Sequence, residues 1–500
     1  MKLFNTPLAF VMVITLVLMS SCKQPEEPKV VFPENDIPVG ATTDEALEAF
    51  MKGLQLYDEG DIVNARPHFK KAVALDPDFV SGHMYVAFTS SSNKEWAENR
   101  DAFLAMRNKG SEADLLNMDL LEAGMADDSD KELEIVTTMV TKYPKSARAL
   151  DYLAGYYSGR DNEPKARDLW KQAIELDSSY TPAVSILGNS YLFISPKDFE
   201  EAQRYMQMWV HKLPQSSQAR IGLGDTYRAQ NNLEMALENY EMAAKLDPKN
   251  EVAHSKAGHA NTFMGHYDLA RQNFRDARAV SEFGTGSYNF EAYTYLYEGD
   301  HKKALAFLEE GAKMFDSMDI PESNKNGVKM GCVSDCAMIA MHYGDGEHLK
   351  ELVAMMKPMS DQISREVNSP ITTKYQTASM HYWDAIVSAT QGDYKEALLK
   401  ADAIKEILKD VDNPNRFRLY HRVHAVVNYE QGNYEKALEH LATLNEDNVY
   451  VQYMMARTYK MMGDEAKAME LFNEVAHNNF NSVAYALVRN ETKELIASAN

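Results

Sequence analysis

Three cysteines in 500 residues exclude a disulfide-stapled scaffold. Cationic side chains are short of anionic ones, 52 against 74, and the formal net charge is −22. A surface this acidic repels phosphate backbones, which argues against nucleic acid as a partner. Apolar runs of spanning length are missing, so nothing beyond the N-terminal segment is expected to cross a membrane. Catalytic signatures are missing too: there is no Walker loop, no G-x-S-x-G and no H-E-x-x-H. The many carboxylates are spread along helical faces, where they read as solvated charge. What is present is an ordinary folding composition, 45% hydrophobic and 25% charged. The length allows either several domains or one long repeat array.

The N-terminal "MKLFNTPLAFVMVITLVLMSSC" places Lys2 before an apolar run from Leu8 to Met19, then Ser20, Ser21 and Cys22. This is the order of a secretory signal, predicted over residues 1–21. Met19-Ser20-Ser21-Cys22 resembles the lipobox of bacterial lipoproteins, with Met19 where the family prefers Leu. The resemblance implies that the Cys22 thiol receives a diacylglyceryl group and that Cys22 becomes the new N-terminus. It implies an outer-membrane anchor, because Lys23 rather than Asp follows the Cys, with the folded part periplasmic or surface-exposed. The following "KQPEEP" resembles the surface-export signal of Bacteroidetes-type lipoproteins. Residues 22–44 carry Pro25, Pro28, Pro33 and Pro38 among charged residues, a composition suited to an extended tether.

The octapeptides "QGDYKEAL" (391–398) and "QGNYEKAL" (431–438) are near copies. Looser versions end at Ala65, Ala270 and Leu305. Residues 217–250 show the full pattern, with Gly224, Tyr227, Ala236, Tyr240, Ala243 and Pro248 in register. The same spacing recurs from residues 46, 147, 251 and 449, and more loosely, with two extra residues in the turn, from residue 181. It resembles the tetratricopeptide repeat, a helix–turn–helix of 34 residues. The resemblance implies an all-α fold, an α-solenoid of about eleven units forming a right-handed superhelix. The predicted organisation is an N-terminal array over 45–318, an irregular or divergent segment over 319–377, a C-terminal array over 378–482, and a capping helix over 483–500. Breaks are predicted at 319–329, 364–377 and 412–417.

Candidate chemistry outside the repeat pattern is sparse. Cys332 and Cys336 in "GCVSDC" share a helical face and suit buried packing, with a disulfide as the alternative. His421 with His424, and His342 with His348, lack an acidic partner at diagnostic spacing, and no metal, cofactor or catalytic residue is predicted.

In this repeat family the first helix of each unit lines a concave face through positions 2, 5, 9 and 12. Carried onto four consecutive units, those positions give Asn189, then Asp225 with Arg228, then Ser255 and His259, then Asn289 and Tyr293. They form a polar stripe and the predicted protein-binding groove; pairing of Asp225 with Arg228 alone is the other reading. The N-terminal units instead offer Phe50, Leu54, Tyr57, Met84 and Phe88. No unit carries the Lys and Asn of the carboxylate clamp found in chaperone-binding members. The implied function is a lipid-anchored, non-catalytic scaffold of the cell envelope that binds a protein or peptide in its groove. The alternative is a glycan- or nutrient-binding outer-membrane lipoprotein of the SusD-like type, whose site needs a concave, aromatic-lined pocket.

Overall fold

The computed structural model describes residues 35–41, 43–444 and 447–499. The signal segment, Cys22 and most of the tether lie outside the described residues. Among those described there are helices and no strands. The first half runs as α1 (Asp44–Asp58), α2 (Ile62–Leu75), α3 (Val80–Phe88), α4 (Asn93–Ala105), α5 (Glu112–Ala126), α6 (Ser129–Lys142), α7 (Ala147–Ser158) and α8 (Glu163–Leu176). Next come α9 (Thr181–Phe193), α10 (Phe199–Lys212), α11 (Ser217–Ala229), α12 (Leu233–Leu246), α13 (Glu251–Phe263), α14 (Tyr267–Val280), α15 (Tyr288–Tyr297) and α16 (His301–Asp316). The chain continues as α17 (Glu322–His342), α18 (Gly346–Val367), α19 (Pro370–Thr390), α20 (Tyr394–Leu408), α21 (Arg418–Glu430), α22 (Tyr434–Leu441), α23 (Val449–Met461), α24 (Glu465–Ala476) and α25 (Val483–Ala499). These are twelve antiparallel pairs and a final helix, an all-α solenoid.

Local chemistry sets the boundaries. Thr43, Ser146, Ser216, Asn250 and Asn448 stand before first helices, and their side-chain oxygens accept from the freed N–H groups of the first turn. The repeated octapeptides supply the turn inside each pair. Gly392 and Gly432 take φ of 81° and 76°, the left-handed position that ends the first helix. Three units use Asp127, Asp161 and Asn231 there instead, at φ near 60°, which short polar side chains tolerate.

Within a pair, small residues let the two helices approach. Ala65, Ala166, Ala236, Ala270, Ala397 and Ala437 are all fully buried. One turn further along the same second helices, Phe69, Tyr240 and Phe274 fill the space beside Gly53, Gly224 and Gly258 of the first helix.

Two predicted breaks are mostly helical. α17 already begins at Glu322, after Pro321, and only residues 368 and 369 separate α18 from α19. At 21, 22 and 21 residues, α17, α18 and α19 are longer than the other helices. The predicted break at 412–417 is a loop.

The physical reason for the early start of α17 is long-range contact. Ser323 and Asn326 are buried, and Asn326 donates to the Met359 carbonyl at 3.0 Å. Asn324 donates to the Ser91 carbonyl at 2.9 Å, and Arg100 on α4 donates to the Val367 carbonyl at 2.7 Å. The second half of the array thus packs back against the first. The same closure brings Asp447 to Ser195, accepting from its N–H at 3.0 Å and its hydroxyl at 2.8 Å.

Candidate functional site

The six predicted groove residues lie on α9, α11, α13 and α15, as the repeat register requires, but their surroundings are not solvent. Asp225, Arg228, His259 and Tyr293 are buried, and Asn189 and Asn289 are half-buried. Asp225 accepts from the Tyr240 hydroxyl at 2.7 Å and Lys256 Nζ at 2.8 Å, and pairs with Arg228 at 3.0 Å. Burial alone would raise its pKa; the two cations outweigh it and hold the carboxyl below its usual value.

The groove in front of them is filled by this same chain. Arg228 lies over the Phe480 ring at 5.0 Å, and Asn479 donates to Asn231 at 2.8 Å. Asn481 bonds His259 Nδ1 at 2.9 Å and accepts from the Tyr297 hydroxyl at 2.9 Å. From α25, Arg489 donates to the Phe263 carbonyl at 3.2 Å and Asn490 to the Tyr297 carbonyl at 2.8 Å. Asn289 and Tyr293 both donate to Asp335 on α17, the latter at 2.6 Å. Within the stripe anticipated as a partner-docking face, Arg228 and His259 therefore seat the C-terminal segment, and Asn289 and Tyr293 seat α17. Periodicity places these residues on one face; only the folded-back chain decides what covers it.

His259 carries a pH consequence. Burial, with Arg228 and Lys256 nearby, pushes its pKa well below the usual histidine range. With Asn481 as donor, Nδ1 is the acceptor, so the ring is neutral. The unfolded imidazole binds a proton near pH 6.5. The stability His259 contributes is therefore complete above that value and declines as pH falls from about 6.5 toward its depressed folded pKa. Urea titrations between pH 7.5 and 5.5 should give a shallower pH slope for His259→Gln than for the parent, by up to about 1.4 kcal/mol per pH unit. Parallel slopes would refute the neutral, buried assignment.

An open concavity lies instead among the N-terminal units, a cavity of about 420 Å³. Its walls include Tyr57 on α1, Tyr85 and Phe88 on α3, and Arg148, Asp151, Tyr152, Gly155 and Tyr156 on α7, with Tyr180 ahead of α9. A neighbouring cavity of about 400 Å³ shares Phe88, Leu120 and Tyr152 and adds Trp96. Arg148 bridges two carboxylates, donating to Asp36 at 3.0 Å and to both oxygens of Asp58 at 3.0 and 2.7 Å. Asp151 accepts from Trp170 Nε1 and the Tyr180 hydroxyl, each at 2.8 Å. Burial pushes its pKa up against those bonds.

This site was partly visible in the sequence. Of the apolar N-terminal stripe, Phe50, Leu54 and Met84 are core, whereas Tyr57 and Phe88 face the cavity. Arg148, Asp151 and Gly155 stand at positions 2, 5 and 9 of the unit beginning at residue 147. The rule that gave the central stripe would have given these residues, had it been applied one unit earlier.

The remaining candidates are placed as follows. Cys332 and Cys336 are buried free thiols, and burial pushes Cys332 up to about 12. His440 joins His421, Nδ1 to Nδ1 at 2.9 Å, and stacks on His424. His342 meets the Tyr450 hydroxyl at 3.2 Å, and His348 pairs with Glu309 at 2.8 Å. Among the described residues no group of three or more His, Cys, Asp or Glu side chains is arranged to hold a metal ion. None of the described helices is long and apolar enough to cross a membrane.

Comparison with known proteins identifies the repeat. Family models described as TPR repeat and tetratricopeptide repeat match residues 224–265 and 428–490. No curated protein matches. Among solved structures, a TPR protein of Parabacteroides merdae is 14% identical, with 57% of this chain and 98% of that one covered at a TM-score of 0.33. A thermophilic TPR protein of Thermus thermophilus is 18% identical over 34% of this chain and 91% of that one, TM-score 0.30. YrrB, described as a TPR protein with an unusual peptide-binding site, is 20% identical over 36% and 93%, TM-score 0.27. The chain is a tetratricopeptide-repeat protein.

Proposed function

We propose that this chain is a lipid-anchored scaffold of the cell envelope that binds a protein partner and performs no reaction. Cys22 carries the lipid, the Pro-rich stretch to residue 44 is the tether, and the helical array stands at the outer membrane, on its periplasmic or outer side. The partner inserts a segment into the N-terminal cavity rather than the central groove. One observation carries this placement: the C-terminal segment and α17 cover Arg228, His259, Asn289 and Tyr293 of the central stripe, whereas the cavity lined by Tyr57, Phe88, Tyr152 and Gly155 is open. Aromatic and arginine side chains around a concavity are the usual carriers of binding energy. A glycan- or nutrient-binding role is the second reading, favoured by the same aromatic walls.

A photoreactive phenylalanine analogue placed at position 88 should cross-link a discrete protein in intact cells. The same group at Leu269, exposed on α14 and remote from the cavity, should not. In the same cells the parent should incorporate labelled fatty acid, and Cys22→Ala should lose both the label and membrane association. Identical fractionation of parent and Cys22→Ala would remove the anchor from the reading. Equal cross-linking from both positions, or none from position 88, would remove the cavity.

A further inference from the structure

The charges around the N-terminal cavity do not balance. Asp36 and Asp58 share Arg148, and Glu132 pairs with Arg160 at 2.7 Å. Asp151 differs: its two oxygens accept from the neutral indole of Trp170 and the hydroxyl of Tyr180. Glu132 and Asp151 line the cavity with Arg148 and Arg160, and Asp36 and Asp58 stand behind Arg148 in the wall of the adjoining cavity, so four carboxylates surround two guanidinium groups. A bound anion would meet net repulsion. A neutral ligand would leave Asp151 with Arg148, already shared by two other carboxylates, as its nearby cation.

The ring walls show the same preference. Arg160 already lies over the Tyr156 ring at 4.3 Å, and Arg148 lies near the Tyr180 ring at 5.2 Å. Ring faces attract cations through their quadrupole, and desolvation strengthens that attraction. Phe88 remains 38% exposed and Tyr152 is half-exposed at the same cavity, so ring surface remains for a cation from outside. Gly155 leaves room for approach, since a Cβ built there meets nothing within 4 Å.

We infer that the cavity recognises a basic side chain, a lysine or arginine of a partner protein, seated among Tyr152, Tyr156 and Phe88 with its charge toward Asp151. The inference rests on the cavity being the ligand site and names the chemistry it selects. The Asp151 carboxyl sits above its usual pKa through burial, and a cationic neighbour lowers it again.

The test uses the full-length chain and labelled nonapeptides that differ only at the centre, which is Lys, Arg, Gln or Glu. Binding is followed by fluorescence anisotropy at physiological salt. The Lys and Arg peptides should bind about tenfold tighter than Gln, with Glu weakest. Asp151→Asn should erase that preference. Glu234→Gln, the same charge change at an exposed position on α12, should leave it intact, which separates the site from general attraction to an acidic protein. Gly155→Leu should abolish binding of every peptide by filling the cavity. Because that change adds helix propensity and meets no neighbour, it remains informative even if Asp151→Asn fails to fold. Equal affinity for Lys and Gln peptides, with Gly155→Leu still blocking both, would overturn the basic side chain and keep the cavity. So would a retained preference in Asp151→Asn. Binding of maltohexaose, blocked by Gly155→Leu in the absence of peptide binding, would replace it by a neutral sugar. Peptide binding untouched by Gly155→Leu would overturn both the inference and the cavity as ligand site.

Discussion

Phe274→Ala is expected to lower the equilibrium stability of the array by about 3–5 kcal/mol, the range for deleting a large ring from a packed core. The ring is fully buried on α14. It lies against Gly258 of α13, close enough that a Cβ on that glycine would sit 2.5 Å from the ring. The glycine is therefore what admits the ring, and it has no side chain that could move into the hole left behind. His259 and Phe290 approach the ring with centroids at 5.4 and 5.9 Å, so both lose a neighbour as well.

In an ordinary solenoid such damage stays local, because each unit touches only the next. Here α13 also receives Asn481 and Arg489 from the C-terminus. The loss should therefore appear in hydrogen exchange at α25 as well as at α13 and α14. A loss of unfolding free energy below about 1 kcal/mol in urea titrations would show that the ring is not a packing element. Exchange confined to α13 and α14 would show that the C-terminal contact transmits nothing.

Tetratricopeptide spacing was legible because each unit repeats its own packing problem. Gly224, Tyr227, Ala236 and Tyr240 announce α11 and α12 by residue size alone, and Tyr240 occupies the space beside Gly224. Contacts between distant units leave no such period. "ESNKNGVK" reads as a break because its polar residues and Gly327 show no apolar stripe. Yet Ser323, Asn324 and Asn326 form the first turns of α17 by bonding to partners far away in sequence, Ser91, Met359 and Glu366. What covers the central stripe is a contact of this kind too. The register of Arg228, His259 and Tyr293 was correct, while what faces them comes from distant chain: Phe480 and Asn481, more than 200 positions on, for Arg228 and His259, and Asp335 of α17 for Tyr293. The cavity at Arg148 and Asp151 stayed legible in principle, since it obeys the repeat register of a single unit and its neighbours.

Deleting residues 477–500 should have the largest effect of any short truncation. Tyr485, Leu487 and Val488 are buried against the array, and Tyr485 packs on Phe263 and Tyr297 with centroids at 5.8 and 6.2 Å. Burying each such side chain contributes about 1.5–3 kcal/mol, or about 5–9 kcal/mol for the three as an upper bound. That is of the order of a whole domain's net stability. The loss falls on α13, α15, α17, α23 and α24, the helices that meet α25, whereas α1 to α8 make their own pairs. The truncated chain should thus keep most of its far-ultraviolet helical signal, melt in two steps and bind an apolar dye at its newly bared Phe263 and Tyr297. The pH slope assigned to His259 should disappear with it, because Asn481 no longer fixes the neutral ring. A synthetic peptide of residues 477–499 supplied in trans should restore a single transition, and the same peptide carrying Asn481→Ala should do so less well. A single unshifted melt with no dye binding would mean that the segment merely rests on the surface, and the central groove would then be free for a partner after all. Two-step melting with peptide rescue would establish that the chain supplies the ligand of its own central groove.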